Sequence, residues 1–265
     1  MSIELEISGL NRNSKITTIA NLKPIYCKIN NTIDEVTEKI VESKHRRIPI
    51  ISRDRHFEGL LTITDILDAY LRKQNFKEKV ESIMVRDVIF CNDTDTIGTV
   101  LQKFRFSRRG GFPILDNSKN LVGMVSEKDI VKYFSEIKLN VKAKDIMTKK
   151  PFCISQNFSI FDCLKTMVNV RFRRLPVVEN GRLIGIVTSF DLLHFIKQHD
   201  YNYDALDETL DLVVRKDVYT ASPDTDISNI VKIMKDKGVG GILIVSNKFK
   251  LEGIITERDI LNEIV

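Results

Sequence analysis

The sequence lacks several features that would assign it directly to a class of proteins. Its 265 residues include no tryptophan, six prolines and four cysteines, and no Cys-x-x-Cys pair occurs. Neither Gly-x-x-x-x-Gly-Lys-Ser/Thr nor Gly-x-Gly-x-x-Gly is present, which excludes the phosphate loops that carry those motifs. The longest apolar runs, such as 242–245, are far shorter than the about 20 residues that span a bilayer. We therefore predict neither a membrane span nor a P-loop enzyme.

Composition and charge indicate an ordinary folded chain. Apolar residues make up 43% and charged residues 29%, and the net charge is +5. That charge permits anion binding but is well below that of a dedicated nucleic-acid binder. The first residues, Met-Ser-Ile-Glu-Leu-Glu, are acidic where a signal peptide needs positive charge. We expect a soluble cytoplasmic protein with no membrane partner.

A seven-residue pattern recurs four times along the chain. A glycine is followed by two apolar residues and then by a Ser or Thr, and an Asp stands six positions after the glycine. The copies run from Gly59 to Asp65, Gly123 to Asp129, Gly185 to Asp191 and Gly253 to Asp259. The glycines lie 64, 62 and 68 residues apart, which indicates internal repeats. Units of about 60 residues are too small to bury a comfortable core alone, so we expect them to pack in pairs.

Each unit shows the same order of secondary-structure signals. A short β-type run comes before a helix, and the N-cap positions of these helices form one column of Thr32, Thr96, Ser159 and Asp226. Apolar residues then recur at i, i+3, i+4 and i+7, as in 97–104. Two further apolar runs separated by turn residues predict a β-hairpin, with Asn180-Gly181 as the clearest turn signal. A second helix opens at the Gly-to-Asp pattern. The prediction is an α/β (α+β) fold built from β-α-β-β-α units.

These residues resemble the CBS domain, the cystathionine-β-synthase repeat. The resemblance rests on Arg173-Arg-Leu-Pro-Val-Val with the Gly185 pattern after it, and on Asp145-Ile-Met-Thr and Ser82-Ile-Met at the starts of repeats. It covers the chain from about residue 16 to the end. Four such repeats imply two Bateman modules, each a pair of repeats packed through their sheets about a pseudo-two-fold axis. The arrangement is similar to the nucleotide-sensing γ subunit of AMP-activated protein kinase and to free-standing archaeal and bacterial CBS proteins.

The resemblance divides the chain into an arm and four repeats. The predicted parts are an N-terminal arm at 1–15 and repeats at 16–75, 80–138, 139–199 and 209–265. The modules would be 16–138 and 139–265. Because a four-repeat chain can complete a disc of two facing modules by itself, we expect a monomeric disc or a homodimer.

The hydroxyl and the carboxylate of the repeated pattern are the candidate binding residues. Unpaired N–H groups at a helix N-terminus suit a phosphate, and an Asp nearby can accept the two hydroxyls of a ribose. The resemblance implies the same roles. The hydroxyls belong to Thr62, Ser126, Thr188 and Thr256, and the carboxylates to Asp65, Asp129, Asp191 and Asp259. Ser/Thr-x-x-Asp is also close to a helix capping box, so capping without a ligand is the alternative.

Paired arginines distinguish the odd repeats from the even ones. The pairs are Arg46-Arg47 and Arg173-Arg174, whereas repeats two and four carry Gly110-Gly111 and Gly240-Gly241. Arginines can neutralise phosphate with fork geometry, and the resemblance places this position facing the phosphate. His45 is a further candidate phosphate contact, although an exposed basic turn is the alternative. We expect the strongest nucleotide contacts at Asp65 and Asp191, and at Asp129 and Asp259 a less charged ligand or none, unless arginines from the companion repeat reach across.

The predicted function is a non-enzymatic regulatory module that binds AMP, ADP or ATP in clefts between paired repeats. We expect an adenosine-containing small molecule as the ligand, no required cofactor and no metal, and a regulated protein partner is compatible with this function. One alternative is another adenosyl ligand, such as S-adenosylmethionine. Another is nucleic-acid binding through the basic turns, which we do not favour. An enzyme is disfavoured because no nucleophile, base and metal ligands recur or stand apart from the repeats.

Three cysteines, Cys27, Cys91 and Cys153, each stand 32 residues before the glycine of their repeat. They therefore form one column of the repeat. Buried apolar thiols in a reducing compartment are predicted at these positions, rather than zinc ligands or disulfides.

Overall fold

Each repeat contains a short strand, a helix, a β-hairpin and a second helix, as predicted. The computed structural model describes residues 11–133, 135 and 141–264. The helices are α1 (Ile33–Ser43), α2 (Ile63–Leu71), α3 (Ile97–Ser107), α4 (Glu127–Tyr133), α5 (Ala143–Ile146), α6 (Ile160–Val170), α7 (Ser189–Gln198), α8 (Ile227–Lys237) and α9 (Glu257–Ile264). The strands are β1 (Cys27–Lys28), β2 (Arg47–Ile51), β3 (Phe57–Thr62), β4 (Cys91–Asn92), β5 (Gly111–Leu115), β6 (Leu121–Ser126), β7 (Thr148–Lys149), β8 (Ile154–Ser155), β9 (Arg174–Glu179), β10 (Arg182–Thr188), β11 (Thr220–Ala221), β12 (Gly241–Val245) and β13 (Leu251–Thr256).

The sheets are small and mixed, and all four share one plan. In repeat one, β1 lies parallel to β2, and β2 lies antiparallel to β3. The order is β1-β2-β3, and the other repeats form the sheets β4-β5-β6, β10-β9-β8 and β11-β12-β13-β7. The predicted turn at Asn180-Gly181 joins β9 to β10 with φ of 49° and 76° at its two residues. Two consecutive positive φ values are typical of the tight turn that matches the twist of a hairpin.

The helix starts agree with the capping signals in the sequence. Thr32, Thr96, Ser159 and Asp226 are the N-caps of α1, α3, α6 and α8. The Glu35 carboxylate accepts the N–H of Thr32 at 3.1 Å, as in the predicted capping box. Asp226 instead receives Lys142 Nζ at 2.7 Å on its carboxylate.

The segment that leads into each repeat adds to the sheet of another repeat. We call 16–24, 80–88, 143–151 and 210–218 the leading segments. Two of them reach a hairpin strand at the pairs Asn21↔Met124 and Leu60↔Val85. The other two do so at Ile254↔Thr148 and Ile186↔Arg215. Each leading segment therefore places one residue beside the strand that enters a second helix.

The chain forms two compact units by its contacts, and each has its own core. One unit comprises 25–88 and 152–218, where α1 and α2 of repeat one pack with α6 and α7 of repeat three around Ile40, Leu67 and Leu164. The other comprises the described residues within 11–24, 89–151 and 219–264, where α4 packs with α8 and α9 around Ile130 and Ile260. Each fully buried aliphatic side chain of this kind contributes about 1.5–3 kcal/mol. The contact units thus divide the chain differently from the predicted modules 16–138 and 139–265, whose boundaries stay a prediction about folding fragments.

The predicted arm falls only partly within the described part of the chain. Residues 1–10 lie outside it. The carbonyls of Arg12 and Ser14 accept the N–H groups of Gly98 and Ile97, both at 2.8 Å. Residues 12–14 thus satisfy two N–H groups at the start of α3, where the helix has no partner of its own for them.

The prediction that Cys153 lies in the same column as Cys27 and Cys91 is wrong. Cys27 pairs with Ile50 and Cys91 with Ile114, but the residue in that position of β8 is Ile154, which pairs with Val177. Repeat three is one residue shorter between this strand and its glycine, so Cys153 falls out of register and is exposed. The remaining cysteine, Cys163, is buried in α6, and burial raises the pKa of its thiol to about 12. Burial likewise raises the pKa of Cys27 to about 11 and that of Cys91 to about 12.

Candidate functional site: a carboxylate at the start of each second helix

The repeated hydroxyl and carboxylate meet in the same way in all four repeats. The hydroxyl residue ends the second hairpin strand and stands just before the first residue of the helix, and the Asp lies in the first turn. Thr62 Oγ1 donates to Asp65 Oδ2 at 2.6 Å, and the Thr62 N–H donates to the same oxygen at 2.8 Å. The corresponding hydroxyl distances are 2.6 Å at Ser126–Asp129, 2.6 Å at Thr188–Asp191 and 2.7 Å at Thr256–Asp259. One carboxylate oxygen, Oδ2, is therefore held by the capping contacts in every copy.

Capping is thus real, but it does not explain why the third helical residue is always Asp. The first helices of the four repeats are capped as well, and they provide an internal comparison. At the same position of the helix they carry Glu35, Thr99, Asp162 and Asn229. A position that served capping alone would vary in this way. The constant Asp of the second helices indicates a requirement beyond capping.

The arginine pairs lie directly beside the hydroxyls. Arg47 is the cross-strand partner of Thr62, and Arg174 is that of Thr188. The carbonyl oxygen of Arg46 accepts the first N–H of α2 at 3.3 Å, and that of Arg173 accepts the first N–H of α7 at 3.0 Å. All four arginines are half-buried. In repeats two and four the glycine pairs take the same places, with Gly111 opposite Ser126 and Gly241 opposite Thr256.

His45 lies next to this cluster but on the surface. Its side chain is exposed, and Nδ1 lies 2.9 Å from the carbonyl oxygen of Ser43. The structure therefore brings together the hydroxyl, the Asp and the arginine pair, and it places His45 at their edge.

The helix N-termini have fewer open N–H groups than the sequence predicts. In repeats one and three the first helical N–H already donates to an arginine carbonyl, as described above. The third donates back to the capping hydroxyl, at 3.4 Å for Asp65 and 3.3 Å for Asp191. The partial positive charge at the helix N-terminus remains, but arginine side chains would balance most of the charge on a phosphate.

The second carboxylate oxygen, Oδ1, distinguishes the repeats from one another. In repeat three Arg215 binds Asp191 Oδ1 through Nε and Nη2, both at 2.5 Å. In repeat four Thr148 Oγ1 lies 3.5 Å from Asp259 Oδ1. Both contacting residues come from leading segments. Sequence reasoning missed them, although aligning the leading segments puts Asn21, Val85, Thr148 and Arg215 in one column.

The repeated glycine is explained by the same leading segments. A Cβ at Gly59 would lie 2.7 Å from the carbonyl oxygen of Val85, and one at Gly123 would lie 2.9 Å from that of Asn21. At Gly185 a Cβ would lie 2.3 Å from Val214 Cγ1. At Gly59, Gly123 and Gly185 no side chain fits beside the leading segment, so close approach requires glycine at these three positions.

Two buried glutamates were not anticipated from the sequence. Glu127 and Glu257 are the first residues of α4 and α9, and they are 1% and 3% exposed. Arg258 Nε donates to Glu127 Oε1 at 2.7 Å. At the same position of repeats one and three stand Ile63 and Ser189, which are also buried. A helix N-terminus favours a carboxylate there, but nothing in the sequence distinguishes it from a solvated one.

The described residues contain neither a membrane-spanning helix nor a cluster of metal-binding side chains. No helix in 11–133 or 141–264 is both long and apolar enough to cross a membrane. Within those ranges no three His, Cys, Asp or Glu side chains are grouped so that they could hold a metal ion.

Comparison with known proteins places these features in a family. The CBS domain model matches residues 16–72, 80–136, 143–198 and 210–265. Protein MJ1225 of Methanocaldococcus jannaschii is 26% identical over 282 residues, which cover 97% of this chain and 98% of that protein. An uncharacterised 33.4 kDa protein of Thermofilum pendens is 26% identical over 83% of this chain. Inosine-5′-monophosphate dehydrogenase of M. jannaschii is 28% identical, and the match covers 75% of this chain but only 38% of the enzyme.

The fold of a solved structure agrees with this result. The crystal structure of MJ1225, described there as a proposed archaeal homologue of γ-AMPK, superimposes with a TM-score of 0.88 over 95% of this chain and 100% of that chain. Four matching repeats, each with its Gly-to-Asp pattern at the start of the second helix, fill most of the sequence. The chain therefore belongs to the CBS-domain family and carries four CBS repeats.

Proposed function

We propose that this chain is a non-enzymatic regulatory module that binds an adenine nucleotide, AMP, ADP or ATP, at the aspartates of its CBS repeats. The observation that carries the proposal is the constant Asp of the second helices, set against the variable residue of the first helices. Because the capping contacts use only Oδ2, a further donor would bind the carboxylate at Oδ1. A ribose diol supplies donors of that kind.

The arginine pairs would bind the phosphates of the ligand. A nucleotide brings one to three phosphate groups whose charge must be balanced when water is displaced. Arg47 lies opposite the capping hydroxyl of repeat one, and its half-buried position suits a charge-assisted contact. We therefore propose Asp65 with Arg46 and Arg47 as the principal site. Repeats two and four, with glycine pairs, hold a less charged ligand or none.

The likeness to MJ1225 supports an adenine ligand over other classes. That protein is described as a proposed homologue of γ-AMPK, and the match extends over nearly the whole of both chains. The chain shares its repeats with part of a dehydrogenase, but the match leaves most of that enzyme uncovered. The proposed role is therefore sensing, in the cytoplasm, with the occupied state read by a protein partner.

The experiment is to identify what the purified chain carries and what stabilises it. Denaturation should release an adenine nucleotide, which mass spectrometry then identifies. A thermal-shift panel of AMP, ADP, ATP and S-adenosylmethionine should then show stabilisation, which is about 2.7 kcal/mol for a ligand at a hundred times its dissociation constant. The matched control is 2′,3′-dideoxy-AMP, which keeps the base and phosphate but lacks the diol.

The outcomes separate the alternatives. A shift with AMP that is lost with the dideoxy analogue supports the carboxylate as the reader of the ribose. A shift only with S-adenosylmethionine would replace the nucleotide by another adenosyl ligand. If no adenosine compound shifts the melt, and a DNA or RNA oligonucleotide binds with a steep dependence on salt, the proposal is wrong and the basic turns bind nucleic acid.

A further inference from the structure

The carboxylate of Asp191 is fully engaged by groups of the chain itself. A carboxylate offers about four acceptor positions, two on each oxygen. Oδ2 accepts the N–H of Thr188 at 2.8 Å and its hydroxyl at 2.6 Å. Oδ1 lies 2.5 Å from both Nε and Nη2 of Arg215. All four positions are therefore filled, and the Asp191 side chain is only 9% exposed.

Arg215 is held in this place by its backbone. Its N–H donates to the carbonyl of Ile186 at 2.9 Å, and its own carbonyl accepts the N–H of Ile186 at 3.0 Å. The carbonyl oxygen of Arg215 also comes within 2.8 Å of the position a Cβ would take on Gly185. The leading segment is thus fixed against the strand, with the backbone of Arg215 opposite Ile186, two residues before the end of β10, and its guanidinium reaches the carboxylate.

Resting on the proposed function, we propose that Arg215 is an internal occupant that closes the repeat-three site to ribose. Its guanidinium takes the two acceptor positions that a ribose diol would need. A nucleotide could bind at Asp191 only by displacing two charge-assisted hydrogen bonds, and a neutral hydroxyl forms weaker ones in return. The arginine pair of repeat three therefore does not make it a nucleotide site equal to that of repeat one.

Repeat one provides the matched comparison for Arg215. The leading segments Val-Glu-Ser-Ile-Met-Val-Arg-Asp-Val (80–88) and Leu-Asp-Leu-Val-Val-Arg-Lys-Asp-Val (210–218) align without a gap, and Val85 stands where Arg215 stands. Val85 makes the same pair of backbone hydrogen bonds with Leu60, both at 2.9 Å. Valine cannot donate to a carboxylate. The leading segment therefore supplies a guanidinium to the carboxylate in repeat three and none in repeat one.

The test exchanges the two residues in the full chain and measures AMP binding by calorimetry. In Arg215→Val we expect AMP binding at Asp191 to become at least about ten-fold tighter, equal to about 1.4 kcal/mol, and Asp191→Ala in the same background should remove it. In Val85→Arg we expect AMP binding through Asp65 to weaken by a similar factor. The control is Lys216→Ala, which removes the next cation along the chain, 73% exposed and 3.8 Å from Asp211, and should change neither site.

The outcomes distinguish this inference from the proposed function. If Arg215→Val weakens AMP binding at Asp191, then Arg215 is a ligand of the nucleotide and the inference is overturned. If AMP binds through Asp65 but Arg215→Val gains nothing, the inference alone fails. If neither the wild-type chain nor Arg215→Val binds AMP anywhere, both are overturned. Circular dichroism checks the fold of each variant, and the exchange in both directions means that one poorly folded variant does not decide the result.

Discussion

The close approach at the repeated glycines predicts which of them tolerates a side chain. In Gly185→Ala the new Cβ would lie 2.3 Å from Val214 Cγ1 and 2.8 Å from the carbonyl oxygen of Arg215. The only glycines with positive φ in the described residues are Gly181 and Gly238, so contact rather than backbone conformation forbids a side chain at Gly185. The leading segment would have to move away from the strand.

The size of the effect follows from the groups that move. Overpacking of this kind costs about 1–3 kcal/mol. Separating the segment also weakens the two backbone hydrogen bonds between Arg215 and Ile186, at about 1 kcal/mol each. The alanine also lowers the conformational entropy of the unfolded chain, which stabilises the folded state by about 0.4–1 kcal/mol. We expect Gly185→Ala to lower the free energy of unfolding by about 2–4 kcal/mol.

Gly253→Ala is the matched control for this prediction. A Cβ there would meet the side chain of Met147, with Sδ at 2.5 Å, and a methionine side chain can rotate away. We expect a change within about 1 kcal/mol of zero. Urea unfolding followed by circular dichroism measures both variants. If Gly253→Ala costs as much as Gly185→Ala, or if neither is destabilised, the explanation of the glycine by close approach is wrong.

Three further results are expected. Cys153 should be the only thiol that reacts rapidly with a disulfide reagent at pH 8 in the native protein, because burial raises the pKa of the other three thiols. All four thiols should react in urea. Rapid labelling of the native Cys153→Ser variant would contradict this prediction. The fragments 16–138 and 139–265 should each be soluble and should associate when mixed, because each of the two cores contains residues of both fragments. Light scattering that shows no association would contradict this prediction. Arg258→Ala should cost about 1.5–3 kcal/mol in urea unfolding by depriving the buried Glu127 of a charged donor, and Arg258→Lys should cost less.

Local signals in the sequence predicted local structure well. The order of strands and helices, the N-cap column and the Asn180-Gly181 turn depend on neighbours within a few residues, and each is found in the structure. The capping contact between hydroxyl and Asp was predicted as the alternative to ligand binding, and the structure contains it in every repeat. A pattern of residues cannot show that such a contact uses only one of the two carboxylate oxygens.

The features that were missed depend on residues far apart in the chain. Arg215 reaches Asp191 because a leading segment crosses a strand of another repeat, and periodicity within one repeat carries no information about that crossing. The shared core of repeats one and three has the same origin, since an apolar helix face does not specify its partner. The predicted position of Cys153 was wrong because the segment between the first strand and the glycine is one residue shorter in repeat three than in repeats one and two.

The most direct test of the account is AMP binding to the Asp65→Ala variant, measured by calorimetry beside the wild-type chain. The control is Asp68→Ala, which lies in the same helix and pairs with Arg72 at 2.7 Å, away from the capping contacts. We predict that Asp65→Ala weakens the tightest AMP site by at least about ten-fold, or about 1.4 kcal/mol, and that Asp68→Ala leaves it unchanged. The capping loss itself should cost the fold only about 1 kcal/mol, so the variant remains folded during the titration. Equal AMP affinity in the wild-type chain and Asp65→Ala would contradict the claim that this carboxylate reads the ribose.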